Sequence, residues 1–429
     1  MSSPPIAIAA TQDEQSPKLS LYHFVGIGWL VYWMTNSYRW IADVAPFFDF
    51  YVVTGAFLVY FSTVRPVQVV NMISRPALWL VGLTALIPIL LYLTATDRSI
   101  YTYLEIRTRI VMFALIAGSA LVMADKDGPW LLRRAALISL SIAIFVNFAE
   151  YFIENPYNRS PAGSRSAGFY ADPNIAGAAI GTLLLLALPI RKQTMKSLMI
   201  ASLAYVAILA TLSRSGMLFA TILIAAYIFL PRGPQTLPAS TRAAVGLGGL
   251  GAALSLATVA IFFFNLKDLE VWRLASAFTL DVSDASAQSR VDFAQFAFDR
   301  FLDYFWTGRG PGAAREYHVS AHNTYITLGY DYGILGIISY ILLIGWGAFK
   351  VLRYGWQRAT TYFFLSFQVA YYSLFAHDVH ANAVFAVMFA SFLTNASLDE
   401  PARKSNQASP RTSLLNPEPG EPAQPQAHA

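Results

Sequence analysis

Apolar residues gather in windows of roughly 15 to 22 residues near 19–38, 46–64, 76–95, 108–124, 134–153, 173–190, 197–211, 215–231, 243–265, 328–349, 360–376 and 381–396. At ~1.5 Å rise per helical residue such windows match the ~30 Å hydrocarbon core of a bilayer. The pattern therefore predicts an all-α polytopic membrane protein with about 12 transmembrane helices. The windows near 197–211 and 215–231 are short and are joined only by Leu212-Ser213-Arg214-Ser215-Gly216. A single broken helix pair is the alternative there, with a count of about eleven. The first window follows Asp13, Glu14 and Lys18 rather than a basic leader, and reads as an uncleaved span.

Polar stretches divide the chain into a segment 1–18, spans one to nine over 19–265, a hydrophilic insertion 266–325, spans ten to twelve over 326–396, and a tail 397–429 rich in Pro, Ser, Gln and Ala. With the first segment cytoplasmic, most Lys and Arg fall on inside connections, as the positive-inside rule requires. The long insertion and the loops 39–45, 96–107, 154–172, 212–216 and 377–380 then lie outside, and the tail is a disordered cytoplasmic extension.

Composition narrows this further. The chain is 56% hydrophobic and 13% charged, with a mean hydropathy of +0.47, far from the average soluble domain. It has no cysteine, which excludes disulfides, zinc–thiolate sites and a thiolate nucleophile. The net charge of +5 does not point to nucleic acid, because the basic residues are scattered through short loops between spans.

Span centres are nearly free of ionisable groups, unlike a proton- or ion-coupled transporter. Polar residues crowd at the outer ends of spans: Arg107, Arg109, Glu150, Arg159, Arg165, Asp172, Asn174, Arg214, Arg290, His322, His377 and Asp378. Basic residues on the outside are all arginine except Lys267, and a planar guanidinium suits bidentate phosphate binding. Singly, each arginine is equally compatible with snorkelling to ordinary headgroups. Arg214 is more constrained, being held in a five-residue connection beside Ser213, Ser215 and Gly216.

The segment 289–306 reads as an amphipathic helix with Asp292, Gln295, Asp299 and Asp303 on a water-facing stripe. Arg290 falls opposite that stripe, toward Phe298, Phe301, Leu302 and Phe305. The following Gly308-Arg309-Gly310-Pro311-Gly312 is a plain turn or a backbone N–H nest for an anion. His322 precedes the tenth span and has the chemistry of a general base. The His377-Asp378-Val379-His380 cluster lacks a third ligand near in sequence, so no metal is expected.

These residues carry a resemblance. His322, Asn323, nine residues, Gly333, two residues and Gly336 resemble the histidine motif of the O-antigen ligase and polymerase superfamily of Gram-negative envelopes. Gly168-Phe169-Tyr170-Ala171-Asp172-Pro173-Asn174 and Thr211-Leu212-Ser213-Arg214-Ser215-Gly216 are similar to two further segments of that superfamily. So is Arg290 followed by an aromatic-rich helix and a Gly-rich turn, although Ala294 stands where some ligases carry leucine. The resemblance implies a glycosyltransferase of the membrane-embedded C type with a mostly helical periplasmic loop, needing no metal and no cofactor. Its donor would be an undecaprenyl-diphosphate-linked glycan and its acceptor a lipid A-core sugar, at the periplasmic face of the bacterial inner membrane. Arg214 and Arg290 are expected to grip the diphosphate and His322 to take the acceptor's proton. Arg165, Asn174, Asn323 and Arg309 are expected to contact substrate. An O-antigen polymerase and, from another class, a lipid-glycan flippase or permease are the alternatives.

Overall fold

A computed structural model of the chain describes residues 19–45, 50–94, 99–153, 155–156, 158, 165–170, 172–190, 194–230, 238–245, 247–248, 251, 285–317, 322–376, 379–394 and 398–399. Among these, helix follows helix without a strand. In order they are α1 (Leu21–Met34), α2 (Tyr38–Val44), α3 (Phe50–Val64), α4 (Pro66–Ile73), α5 (Pro76–Thr94), α6 (Ile100–Met123), α7 (Gly128–Ala149), α8 (Pro173–Ala187), α9 (Met195–Ala210) and α10 (Arg214–Phe229). Then come α11 (Ala285–Asp303), α12 (Ala313–Glu316), α13 (Thr324–Tyr354), α14 (Trp356–Tyr372) and α15 (Ala383–Leu393).

Every apolar window except 243–265 carries one of these helices, and that window lies almost wholly outside the described residues. By length and composition α5, α6, α7 and α13 are each able to cross a membrane, and α3 with α4 forms a fifth candidate bent by 102° at Arg65. Helices α1, α8, α9, α10 and α15 are apolar but shorter. A count of twelve spans is thus not reached among the described residues. Residues 1–18, 252–284 and 400–429 fall outside them.

Helix ends are set by local chemistry. Asp172 accepts from the backbone N–H groups of Asn174 and Ile175 at the start of α8, Ser213 from Gly216 at α10, Asn323 from Ile326 at α13 and Asn382 from Val384 at α15. Helices α9 and α10 form an antiparallel hairpin: the Tyr205 and Thr221 hydroxyls, equally far from Ser213, lie 3.2 Å apart. The two short windows are therefore two helices packed side by side.

Two helices that are apolar all round, α8 and α15, sit in the middle, and every residue of α15 is buried. Small residues let α8 approach its neighbours: a methyl on Gly177 would lie 3.3 Å from Thr211 Oγ1, and one on Gly181 2.9 Å from Gln368 Nε2. Peripheral helices instead expose Leu86, Leu90 and Leu93 of α5 and Ile338, Ile341 and Leu342 of α13, the faces a lipid solvent would cover.

Helix α13 is broken at Gly333, which adopts φ 65° and ψ −160°. There the chain of Gly308-Arg309-Gly310 crosses it, backbone to backbone. The N–H of Arg309 donates to the Tyr330 carbonyl (2.7 Å), that of Gly310 to Asp331 (3.0 Å), and that of Ile334 to Phe305 (2.7 Å). A methyl on Gly333 would lie 2.5 Å from the Trp306 carbonyl, and one on Gly308 2.4 Å from the Asp331 carbonyl carbon. Both glycines are therefore required by positive φ and by contact. Gly333→Ala is expected to lower stability by at least about 2 kcal/mol, from left-handed strain plus a backbone clash. Thermal unfolding in detergent, with Gly345→Ala at an uncrowded position as control, checks this.

Candidate functional site

The segments singled out by sequence meet at one end of the bundle. Arg165 is the link: its Nη2 donates to Asn174 Oδ1 (3.1 Å) and its Nε to the Thr211 carbonyl (3.2 Å). That ties the segment leading into α8 to the turn carrying Arg214. Glu150, at the end of α7, holds the same segment: its carboxylate accepts from the N–H groups of Ala167 (2.9 Å) and Gly168 (2.6 Å), from Ser166 Oγ and from Asn158 Nδ2. Gly168 is left-handed (φ 51°) and sits against Asn147, where a methyl would lie 2.8 Å from Nδ2. With its oxygens engaged in this way, Glu150 organises the loop.

Arg214 is the first residue of α10 and is partly buried. Five residues on, Phe219 lies 6.1 Å from Tyr371 near the C-terminal end of α14. Just past that end, the carbonyls of Ser373 and Ala376 accept from the N–H and hydroxyl of Thr324, the first residue of α13. Arg214 and the His322-Asn323 pair therefore lie at the same end of the bundle, linked through the end of α14. His322 immediately precedes the cap residue Asn323 and is left-handed, with φ 44°.

Among the described residues the non-glycine positions with positive φ are Asn36, Leu212 and His322. Leu212 belongs to the Arg214 turn. Asn36 donates to the Phe169 carbonyl, in the segment that Arg165 begins (3.2 Å). Left-handed backbone costs roughly 1–2 kcal/mol per non-glycine residue, and such strain concentrates at functional sites.

Other expectations need correction. The Gly-rich turn is no anion nest at Arg309 and Gly310, because those N–H groups cap the carbonyls exposed by the break in α13. The Arg309 guanidinium lies over the Tyr317 ring (4.1 Å) and 3.4 Å from the Tyr330 hydroxyl. Asn323 uses its side-chain oxygen as a helix cap. Helix α11 exposes Asp292, Asp299 and Asp303 as expected, but its packed stripe is Ala297 and Phe301, set against Gly329 of α13, while Phe298 and Leu302 remain exposed. Arg290 lies within α11, seven residues before Ala297 and so on the same stripe of the register; its side chain, Arg159, and the His377-Asp378 pair lie outside what is described.

Sequence reasoning missed a buried ionic cluster. Glu105 Oε1 on α6 accepts from Arg109 Nη2 (2.8 Å), one turn on, and from the Tyr332 hydroxyl (2.8 Å) beside the break in α13. Arg315 of α12 stands 3.7 Å from its other oxygen, and His380 Nε2 3.9 Å from the first. Arg109, Tyr332 and His380 also line a cavity walled by Ile87, Pro88 and Met112. The signal was present, since Glu105 and Arg109 are an i, i+4 pair opening an otherwise apolar helix.

A helical bundle with apolar outer faces and a strained, arginine-bearing end is that of a multi-pass membrane protein. Residues 197–341 match the family model described as O-antigen ligase. That stretch contains Arg214, Arg290, Arg309, His322 and Asn323. No curated protein matches the chain.

Replacing Glu150 by Gln removes the charge from four hydrogen bonds around the Arg165 segment. Charge-assisted bonds contribute about 1.5–3 kcal/mol each, so a loss of about 2 kcal/mol in unfolding free energy is expected. Denaturant titration by tryptophan fluorescence measures it.

Proposed function

We propose that this protein transfers O-antigen glycan from undecaprenyl diphosphate to a sugar hydroxyl of lipid A-core, at the periplasmic side of the bacterial inner membrane. The observation that carries the reading is the placement of His322, in strained left-handed backbone, at the same helix-bundle end as the Arg165-braced turn of Arg214. An arginine-bearing end beside a positioned imidazole fits a reaction in which a diphosphate leaves as an anion while a hydroxyl loses a proton.

In the proposed step the acceptor oxygen attacks the anomeric carbon of the donor sugar. The bond from that carbon to the diphosphate oxygen breaks, and the configuration inverts. The acceptor proton passes to the His322 imidazole. Arg214 and Arg290 stabilise the charge gathering on the departing undecaprenyl diphosphate, where preorganised donors have most effect. Arg165 and Asn174 hold the Arg214 turn toward the donor, and Asn323 and Arg309 stand at the ends of the half-helix that follows His322. No metal has a part in this scheme.

The test is transfer by purified protein from an undecaprenyl-diphosphate glycan to lipid A-core in EDTA, read by gel shift and mass. His322→Ala is expected to lower the rate by at least about 100-fold, the usual contribution of a general base. Arg214→Ala should lower it by about 100- to 1,000-fold, as loss of a donor to a developing anion does. Longer donor-linked chains with no transfer to the core would mean a polymerase. Movement of intact donor across a vesicle bilayer without new glycosidic bonds would mean a flippase.

A further inference from the structure

Residues 324–332 form a half-helix, cut from the rest of α13 at Gly333. Nine residues span roughly 13 Å, and so short a helix is marginal without tertiary support. Its first end carries His322 and Asn323 and is fastened by Thr324 to Ser373 and Ala376. Its second end is fastened by the Gly-rich turn, by the Ala314 N–H donating to Asp331 Oδ1 (2.8 Å), and by the Tyr332 hydroxyl donating to Glu105. Glu105 is buried and also faces Arg109, Arg315 and His380. One carboxylate thus ties α6, the half-helix, α12 and the turn after α14 into a single body.

We infer that Glu105, acting through Tyr332, is a positioning residue for His322: it fixes the tilt and depth of the half-helix on which the imidazole is mounted. This rests on the function proposed above. Glu105 lies a half-helix length from His322 and outside the stretch matching the family model, so it acts through geometry and not by touching the reacting atoms. Its loss should lower turnover and leave donor binding in place.

Tyr332→Phe deletes only the hydroxyl of this tether, and Glu105→Gln keeps its shape while removing the charge. The chain has no cysteine, so spin labels at Thr327→Cys and Leu342→Cys report the half-helix against the part of α13 beyond Gly333, about 20 Å apart at helical rise. Expected are a narrow distance distribution in the parent protein, broadening in both variants, a kcat lowered on the order of tenfold as for one charge-assisted hydrogen bond, and a donor KM within about twofold. An unchanged distribution overturns the inference whatever the kinetics. So does broadening with unchanged kcat, or a loss confined to KM. A parent protein that transfers no glycan defeats the proposed function alone, and the distance distribution then decides whether Glu105 holds the half-helix.

Discussion

A helix interrupted within a membrane protein exposes carbonyls that lipid has no means of satisfying. In α13 the break at Gly333 frees the carbonyls of Tyr330 and Asp331, and the loop turn around Gly308 supplies the missing N–H groups. Much of the arrangement follows from this requirement. Two backbones approach closely enough that Gly308 and Gly333 admit no Cβ, and Gly312 is pressed against the Tyr101 carbonyl at the start of α6. The loop is thereby locked to the bundle, and the half-helix bearing His322 gains its inner cap from a segment distant from its outer one.

Charge follows the same logic. The Glu105–Arg109 pair is buried, where desolvation offsets much of the attraction between its members, so its contribution lies in fixing geometry more than in stability. Glu150 plays the equivalent part on the other side, gathering two backbone N–H groups of the Arg165 segment onto one oxygen. Rigid bracing on both sides is what allows Leu212 and His322 to persist in left-handed backbone, since strain of this kind survives only where neighbouring contacts over-determine the conformation.

The helices were largely legible from the sequence because apolar windows report burial or lipid contact directly. Their number as spans was not: α8 and α15 are apolar and enclosed by other helices, a state that hydropathy does not separate from lipid exposure. Spacing located the His322 and Arg214 segments, yet assigned the Gly-rich turn a choice of roles that only its partner carbonyls resolve. Arg109 stands one turn from Glu105, but the partner that ties Glu105 to the half-helix, Tyr332, is remote in sequence and ordinary in composition. Arg165 was found for its charge, whereas its position is defined by a backbone carbonyl that carries no signature at all.

The stretch matching the O-antigen ligase family, 197–341, holds the histidine, the turn arginine and the loop, but only part of what fixes them. Thr211 takes its donor from Arg165, Tyr332 its acceptor from Glu105, and Thr324 its anchors from Ser373 and Ala376, all outside that stretch. The site is therefore a property of the whole bundle. A change in α6 or in the segment before α8 can reach His322 or Arg214 through one or two hydrogen bonds without altering any residue of the matched segment. Under the proposed function, specificity has room to vary in these supports while His322 and Arg214 are themselves unchanged, because a small displacement of a reacting group costs more rate than it costs stability.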